Sequence, residues 1–232
     1  MKKKLPTITL FGMDCVNIER LLLAADICEK DFEFKEMKLL SSIPSTDKRV
    51  ISIAPVSSAE EYSAFMIKHV NDYINTDFLL VIQHDGFILN PDAWTDEFLQ
   101  YDYIGAPWYE NGTFIVGNGG FSMRSKKLLQ LLQKDMSVQI TLNDPEDWFI
   151  SVTKREYLEN KGITFAPVEL AKRFSLEANE KDGVVWTNQF GFHGLTWTDI
   201  SSWLREHPEY HIQNELDSWA LTVKEKLIKK SR

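Results

Sequence analysis

Short β-rich runs alternate with helically spaced apolar residues along most of this chain. Residues 7–11 form the first β-rich run, and the apolar positions within residues 17–29 recur at helical spacing, which predicts a strand followed by a helix. Residues 32–40 and 49–56 have the composition of two further strands. Residues 77–82 are the most apolar run and lie between two predicted helices, which predicts a central, parallel strand.

Four more helices are marked by capping residues, prolines or apolar spacing. They are predicted after Ser58 with Glu61 three positions on, from Asn90-Pro91 to Phe98, over residues 125–134, and from Asp144-Pro145 to about Glu159, ending near Gly162. Residues 103–124 predict strands and turns, and residues 163–168 predict a strand. A final helix is predicted from about Asp199, followed by an amphipathic segment at 216–227, so that residues 199–232 form a helical tail.

This order of elements predicts an α/β fold, an α/β/α sandwich around a mostly parallel mixed sheet. The length of 232 residues suits one domain over residues 1–232. In such sheets, ligands bind beyond the carboxyl ends of the strands. We therefore expect Asp14, Asp85 and the glycine-rich turn at 117–120 to lie at one edge of the sheet.

Charge and composition limit the kinds of ligand that the protein can bind. The net charge is −8 and basic residues cluster only at the two ends, which argues against a nucleic-acid surface and for a small anionic ligand. The two cysteines, Cys15 and Cys28, predict reduced thiols in a cytoplasmic protein. No run is long enough to cross a bilayer, and Met1–Lys4 lead into a predicted strand rather than a secretion signal. The basic residues at 224–232 suit either a solvated end or peripheral contact with an anionic membrane.

Polar residues that interrupt this framework are candidates for chemistry. Asp85 follows the most apolar strand and precedes Gly86, so it suits either a divalent-cation ligand or a plain Asp-Gly turn. Asn118 and Gly119, within Gly117–Gly120, suit either a hairpin turn or a backbone surface for a hydroxylated ligand.

Two further positions have both a structural and a catalytic interpretation. Glu146 and Asp147 begin a predicted helix, where the helix dipole stabilises acids, but either could also accept a proton from a hydroxyl. Trp148 beside them could form a stacking wall. His193 lies in Phe190–Gly194, where glycines flank a Phe-His pair, so it suits either a loop-stabilising residue or a metal ligand.

Taken together, these motifs resemble those of glycosyltransferases of the GT-A fold, a Rossmann-type α/β/α sandwich. The closer resemblance is to a bacterial family associated with polysaccharide genes, and it covers the chain to about Gly194. The motifs that carry it are Gln-x-Asp-Gly at 83–86, Tyr-Asp-Tyr-Ile-Gly-Ala-Pro-Trp at 101–108 and Gly-Asn-Gly-Gly-Phe-Ser at 117–122.

The resemblance implies a role for each matching position. Asp85 matches the second acid of an Asp-x-Asp motif, His193 the late histidine of the metal shell, and Asp147, paired with Glu146, the base of inverting members. Gln83 replaces the first acid. The implied donor-binding residues are Asp14, Asn17, Gln83, His84, Gly86, Lys172 and Arg173, and the implied sugar- or acceptor-binding residues are Trp108, Asn118, Gly119, Gly120 and Trp148.

We therefore expect an inverting glycosyltransferase that needs Mn²⁺ or Mg²⁺. It would use a nucleotide-sugar donor and a glycan or glycoconjugate acceptor in polysaccharide or glycoconjugate synthesis. Three alternatives stay open at this point. They are a non-catalytic nucleotide-sugar or glycan binder on the same fold, a nucleotidyltransferase, for which the expected basic glycine-rich loop is missing, and a retaining transferase.

Overall fold

A six-stranded sheet forms the centre of the structure, a computed structural model that describes residues 1–110, 112–140, 144–177 and 185–212. The ten strands of the described residues are β1 Lys3–Met13, β2 Phe32–Ser41, β3 Val50–Ser52, β4 Phe78–Val81, β5 Tyr103–Ile104, β6 Pro107–Glu110, β7 Thr113–Val116, β8 Ser122–Ser125, β9 Ser175–Leu176 and β10 Gly191–Phe192. The strand order of the central sheet is β3-β2-β1-β4-β8-β5. Two small sheets accompany it, one of β6 with β7 and one of β9 with β10.

Helices cover both faces of the central sheet. The α-helices are α1 Ile18–Asp31, α2 Ala59–Lys68, α3 Lys126–Lys134, α4 Glu146–Trp148, α5 Arg155–Asn160, α6 Val168–Phe174 and α7 Ser201–Glu206. A π-helical turn, Phe149–Thr153, joins α4 to α5, and short 3₁₀ turns lie at Val70–Tyr73, Pro91–Ala93, Asp96–Gln100 and Pro208–Tyr210. The predicted α/β fold around a mostly parallel mixed sheet is confirmed.

The direction of the strands fixes where a ligand can bind. Strand β1 pairs in parallel with both β2 and β4, and β2 pairs in parallel with β3. Strand β8 runs antiparallel to both β4 and β5. The chain builds outward from β1 in one direction and resumes with β4 on its other side, so the topological switch point lies between β1 and β4.

Side chains that point alternately to the two faces of the sheet divide the apolar core into two layers. In β4, Leu80 packs with the larger cluster under α1, and Leu79 and Val81 pack with the smaller cluster under α2 and α3. Strand β1 divides in the same way, with Leu10 in the larger cluster and Phe11 in the smaller one. Successive strand residues face opposite sides of a sheet, so these nearly unbroken apolar runs match a strand buried on both faces.

An aromatic cluster fills the larger layer beside the predicted site. The buried ring of Phe190 lies 5.3–5.9 Å, centroid to centroid, from five other rings. Those rings belong to Phe32, Trp94, Phe98, Phe121 and Phe174. The backbone of Phe190 also accepts hydrogen bonds from the amides of Leu89 and Asn90. The cluster therefore anchors the segment that leads to His193.

Several predicted elements differ from those observed. The prediction of a strand at 163–168 is wrong, because Phe165 makes only an isolated bridge with Tyr103. Pro167 has no N–H with which to continue the pairing, and it directly precedes α6. The helix from Asn90 to Phe98 is two 3₁₀ turns, since Trp94 between them is extended. Strand β4 is central as predicted, but it is parallel to β1 only.

Other predicted boundaries agree with the structure. Ser58 caps α2 by accepting from the Glu61 amide, and the Glu61 carboxylate in return accepts from the Ser57 amide. The helical stretch after Pro145 ends before Gly162, which has a φ of +81°. The amphipathic segment at 216–227 and the basic residues at 224–232 lie outside the described residues. None of the helices in the described part of the chain is long and apolar enough to cross a membrane.

The aromatic cluster gives a test of the packing. We expect Phe190→Ala to lower the free energy of unfolding by about 3–5 kcal/mol, because it leaves a cavity among five rings. Phe114→Ala is the matched control, since 42% of that residue is exposed and its loss should cost about 1 kcal/mol or less. Urea denaturation measures both. Equal losses in the two variants would show that Phe190 does not anchor the core.

Candidate functional site

A cavity of about 530 Å³ opens at the switch point, beyond the carboxyl ends of β1 and β4. The loop after β1, the loop before α2, the turn after β4 and the start of α4 form its walls. The sequence-predicted residues among its lining are Asp14, Gln83, His84, Asp85, Gly120, Glu146, Asp147 and His193. The cavity is thus built from residues that are distant in sequence, as the sheet topology predicts.

A tight turn displays Asp85 at the end of β4. The amide of Gln83 donates to the Gly86 carbonyl at 2.9 Å, and the amide of Gly86 donates back to the Gln83 carbonyl at 3.1 Å. The Asp85 Oδ1 atom is buried yet accepts no hydrogen bond. It lies 3.7 Å from the Nε2 of His193 and 3.7 Å from the Nδ1 of His84. A buried carboxylate oxygen without a donor is costly, which singles out this atom.

Strand β10 brings His193 to the same point. Strands β9 and β10 pair in parallel, so the residues that follow them, Glu177 and His193, emerge side by side. The Nδ1 of His193 lies 2.8 Å from Glu177 Oε1, and its Nε2 lies 3.1 Å from Gln83 Oε1. The Gly194 amide donates to the backbone carbonyl of Asp85 at 2.7 Å, which ties this loop to the turn after β4.

Charged neighbours decide the protonation of His193. Burial opposes a charge on the ring, but the carboxylates of Asp85 and Glu177 prevail and raise the pKa of His193 to about 9. Although burial raises it, the hydrogen bond with His193 holds the net pKa of Glu177 below its usual value. At neutral pH the ring is therefore a cation between two carboxylates.

The glycines of the site provide room for side chains. A Cβ on Gly120 would lie 2.2 Å from the His193 ring, and one on Gly86 would lie 3.0 Å from it. A Cβ on Gly119 would lie 2.2 Å from Glu146 Oε1. Of the glycine turn, only Gly120 lines the cavity. Gly119 and Gly86 lie outside the lining, close to Glu146 and His193, and their predicted contacts with the sugar and the donor stay predictions.

The turn at 117–120 is also not a hairpin. Strand β7 pairs with β6, whereas β8 pairs with β4 and β5, so the turn connects two different sheets. Asn118 adopts a φ of +62° and is 1% exposed. Its side chain donates to Glu177 at 2.7 Å and accepts from the Phe121 amide at 3.0 Å. Both ends of the Asn118 amide thus bind protein groups, and its predicted sugar contact stays a prediction.

Glu146 has a structural partner. Its Oε1 accepts from the fully buried guanidinium of Arg124 at 2.6 Å. Arg124 also lies over the ring of Tyr103, with its central carbon 5.6 Å from the centroid. A carboxylate held in a buried ion pair is a poor proton acceptor, so Glu146 serves to fix the start of α4 rather than to act as a base.

Asp147 has the properties of a base. Its Oδ2 accepts from the Gly119 amide at 2.9 Å and its Oδ1 from the Trp148 amide at 2.7 Å. Burial, followed by the charges of Glu146 and Glu177, raises the pKa of Asp147 to about 7. The stabilisation of this acid by the helix dipole, expected from the sequence, is outweighed here, because α4 has only three residues and both burial and the acidic neighbours act against the anion.

The loop after β1 is only partly available to a ligand. Asp14 accepts from the amides of Val16 and Asn17 and from Arg20, whose Nε lies 2.5 Å from Asp14 Oδ2. Arg20 also lines the cavity. Asn17 caps α1 by accepting from the Glu19 amide and does not line the cavity, and its predicted donor contact stays a prediction.

Four other predicted residues lie away from the cavity lining. The indoles of Trp108 and Trp148 stack on each other with centroids 6.1 Å apart, and the Trp108 Nε1 donates to Glu177. Lys172 and Arg173 end α6 and pair with Glu169 and Glu97 at the surface. Both cations lie exposed in the last turn of α6 and not on the cavity wall, and their predicted contact with the donor stays a prediction.

The cavity as a whole is acidic. Its carboxylates belong to Asp14, Glu60, Asp85, Asp144, Glu146 and Asp147, and its basic side chains to Arg20, His84 and His193. Within the described ranges, no group of three or more His, Cys, Asp and Glu side chains is arranged as a metal site. The donor atoms at Asp85, His193 and the Gln83 amide nevertheless fit a divalent cation whose other positions are filled by ligand oxygens and water.

Three residues of the site carry no sequence signal of their own. Glu177 follows β9 and binds His193, Asn118 and Trp108 together. Arg124 is buried in β8 beneath Glu146. Tyr62 accepts from the Gln83 amide nitrogen at 3.1 Å. None of these residues lies in a glycine-rich or acidic motif, so only the three-dimensional arrangement identifies them.

The buried ion pair gives a test of the site's framework. We expect Arg124→Met to lower the free energy of unfolding by about 3–5 kcal/mol, because it leaves Glu146 buried without a partner. Adding Glu146→Leu should restore most of that loss. Arg173→Met is the control, since its exposed pair with Glu97 should be worth less than about 1 kcal/mol. Urea denaturation that found Arg124→Met as mild as the control would contradict the structural role of the pair.

Comparison with known proteins places the chain in a family. Curated proteins give no match. Among solved structures, the bifunctional IspDF from Campylobacter jejuni is 12% identical with a TM-score of 0.40, covering 68% of this chain and 48% of that one. The chain thus spans about half the length of that relative. A197 from STIV is 13% identical with a TM-score of 0.38, covering 68% of this chain and 79% of that one. The model of a protein family of unknown function, DUF5672, matches residues 46–193, and the chain belongs to that family.

Proposed function

We propose that this protein is a glycosyltransferase that moves a sugar from a nucleoside diphosphate to a hydroxyl of a glycan or glycoconjugate, with a divalent cation. One observation carries the proposal. The buried Asp85 Oδ1 accepts no hydrogen bond and faces His193 Nε2 across 3.7 Å in an acidic cavity. Such a pair of converging donor atoms suits a shared cation better than a direct ion pair, which would be shorter.

The position and size of the cavity support a nucleotide ligand. It lies at the topological switch point between β1 and β4, where α/β sheets bind their ligands, and its volume of about 530 Å³ is in the usual range for small-molecule sites. A nucleotide-sugar donor and the free thiols of Cys15 and Cys28 fit a cytoplasmic protein.

The charge of the cavity explains why the donor would need a cation. A diphosphate that enters among six carboxylates, with Arg20 as the one guanidinium on the cavity wall of the described residues, would be repelled. Asp85, His193 and the Gln83 amide oxygen would hold Mn²⁺ or Mg²⁺ there. When bound, the cation would supply positive charge that stabilises the diphosphate as it leaves.

Asp147 supplies the proton acceptor. The oxygen of the acceptor hydroxyl forms a bond to the anomeric carbon while the bond from that carbon to the diphosphate oxygen breaks, and the diphosphate leaves with the electron pair. The hydroxyl proton passes to the Asp147 carboxylate. This direct displacement inverts the anomeric configuration, and a pKa of about 7 is well matched to a base that works near neutral pH.

Loss of the Asp85 charge tests the cation site. We expect Asp85→Asn to weaken Mn²⁺-dependent binding of nucleoside diphosphates by more than the about 10–100-fold typical of groups that only orient ligands. Calorimetry with uridine, guanosine, cytidine, thymidine and adenosine diphosphates, with and without Mn²⁺, measures this. Asp92→Asn, at an exposed position, is the control. Binding that Mn²⁺ does not affect in the unaltered protein would sink the proposal.

Loss of the Asp147 carboxylate separates catalysis from stability. We expect Asp147→Asn to lower the rate of sugar transfer by about 10²–10⁴-fold, and the unaltered protein to gain activity as pH rises through about 7. The melting temperature of the unaltered protein should also fall as pH rises towards about 7, and that of the variant should change less. The reason is that Asp147 has a folded pKa raised from 3.8 to about 7, so its ionisation costs stability progressively between these values and fully above them.

The transfer rate and the melting temperature of Asp147→Asn together decide the role of the residue. Transfer assays with product stereochemistry, and melting curves across pH, give the measurements. Full activity in Asp147→Asn would remove the base from the mechanism. Melting temperatures that depend on pH equally in the two proteins would show that folding does not raise the pKa of this carboxylate. Retention of configuration in the product would exclude direct displacement.

A further inference from the structure

We infer that Glu177 is the positioning residue of this site, holding the His193 ring so that its Nε2 atom faces Asp85 and Gln83. The inference rests on the proposed function only in assigning a metal cation, in place of the proton, to that atom. The orientation of the ring itself follows from contacts within the protein. Glu177 does not line the cavity, so it would act through His193 rather than on a ligand.

The backbone brings the two residues together. Gly191 pairs with Ser175 and Phe192 with Leu176 in the two-stranded parallel sheet, so Glu177 and His193 are the next positions on each strand. The His193 amide donates to the Leu176 carbonyl at 2.9 Å and continues the ladder. Their contact is thus set by main-chain hydrogen bonds.

Both oxygens of the Glu177 carboxylate have partners. Trp108 Nε1 donates to Oε2 at 2.5 Å, and Asn118 Nδ2 donates to the same atom at 2.7 Å. The other oxygen, Oε1, lies 2.8 Å from His193 Nδ1. Two donors on one oxygen fix the plane of the carboxylate, so its free edge is aimed at the imidazole.

These contacts determine which ring nitrogen carries the proton. Asn118 Nδ2 lies 2.9 Å from His193 Nδ1 and donates one N–H to Glu177 Oε2, so its other N–H and the Glu177 carboxylate compete for Nδ1. A carboxylate can only accept, so a bare Nδ1 lone pair 2.8 Å from Oε1 would be repelled. Nδ1 therefore carries a proton and donates it to Glu177, which leaves Nε2 as the nitrogen with a variable proton or ligand.

The opposite side of the ring is arranged to match. Gln83 Nε2 donates to Tyr62, which turns the amide oxygen of Gln83 toward His193 Nε2 at 3.1 Å. The second neighbour of Nε2 is Asp85 Oδ1. Nε2 thus faces two acceptor atoms, an arrangement that suits a proton or a cation between them. Carboxylates that orient histidine ligands in this way commonly strengthen metal binding.

The variant Glu177→Gln makes a sharp prediction. Its side-chain oxygen is needed by the donors at Trp108 and Asn118, so its amide N–H turns to His193 Nδ1. That nitrogen must then accept, which moves the proton of the neutral ring to Nε2 and blocks the lone pair. The shape of the side chain is almost unchanged, so the effect is one of proton placement.

The test uses the apo protein and Mn²⁺ as the probe. Nitrogen NMR of the imidazoles, with the His193 signals assigned by their loss in His193→Gln, is recorded above pH about 9, where the ring of the unaltered protein is neutral. It should show a protonated Nδ1 and a bare Nε2 in the unaltered protein, and an unprotonated Nδ1 in Glu177→Gln. Calorimetry should show Mn²⁺ affinity falling by about 10–100-fold. Glu169→Gln, whose carboxylate is 83% exposed, should change neither. A protonated Nδ1 and unchanged affinity in Glu177→Gln would overturn the inference.

A second variant tests the inference if Glu177→Gln does not fold. If melting curves show that Glu177→Gln is unfolded, Trp108→Phe removes one donor to Glu177 while keeping an aromatic ring against Trp148. It should lower Mn²⁺ affinity severalfold with Nδ1 still protonated, and unchanged affinity would count against the role of Glu177. If the unaltered protein binds no Mn²⁺, the proposed cation fails, and the NMR result alone decides whether Glu177 positions His193.

Discussion

The contact between Glu177 and His193 is the interaction on which the candidate site depends. It is built by two short parallel strands, and it can form only because Gly86 and Gly120 leave space for the imidazole. The amide of Gly194, next to His193, donates to the turn after β4, and the Nε2 atom of His193 faces the Asp85 oxygen that accepts no hydrogen bond. Loops from four parts of the chain are thereby held at one point, so the geometry of the cavity is a property of the whole fold.

Burial and mutual repulsion of the carboxylates in the cavity lower the stability of the fold and raise the pKa of Asp147 towards neutral pH. Six carboxylates share one cleft, and the strain falls most clearly on Asp147, whose pKa rises to about 7 because burial and the charges of Glu146 and Glu177 disfavour its anion. A protein selected for stability alone would replace such a group. The Arg124 guanidinium neutralises Glu146, which leaves Asp147 as the acid at the start of α4 that is free to exchange a proton near neutral pH.

The sequence predicted the central sheet and the charged residues of the site, but not the neighbouring side chains that hold those residues in place. Apolar runs such as residues 77–82 and capping patterns such as Ser58 with Glu61 depend on local preferences, and the structure confirms them. The strand predicted at 163–168 failed because Pro167 ends the extended run. Side-chain roles that depend on distant partners could not be read locally. Glu177 has no motif, and the glycines thought to face a sugar make room for His193 and Glu146.

The central claim is that Asp85 and His193 share a cation with a bound diphosphate at the switch point of the sheet. It is tested most directly by a crystal structure of the protein with Mn²⁺ and the nucleoside diphosphate that binds best, using the anomalous signal of manganese. The account predicts an anomalous peak within bonding distance of Asp85 Oδ1 and His193 Nε2, with diphosphate oxygens on its open side. A bound nucleotide with no peak between these two residues, or a peak elsewhere in the cavity, would contradict it.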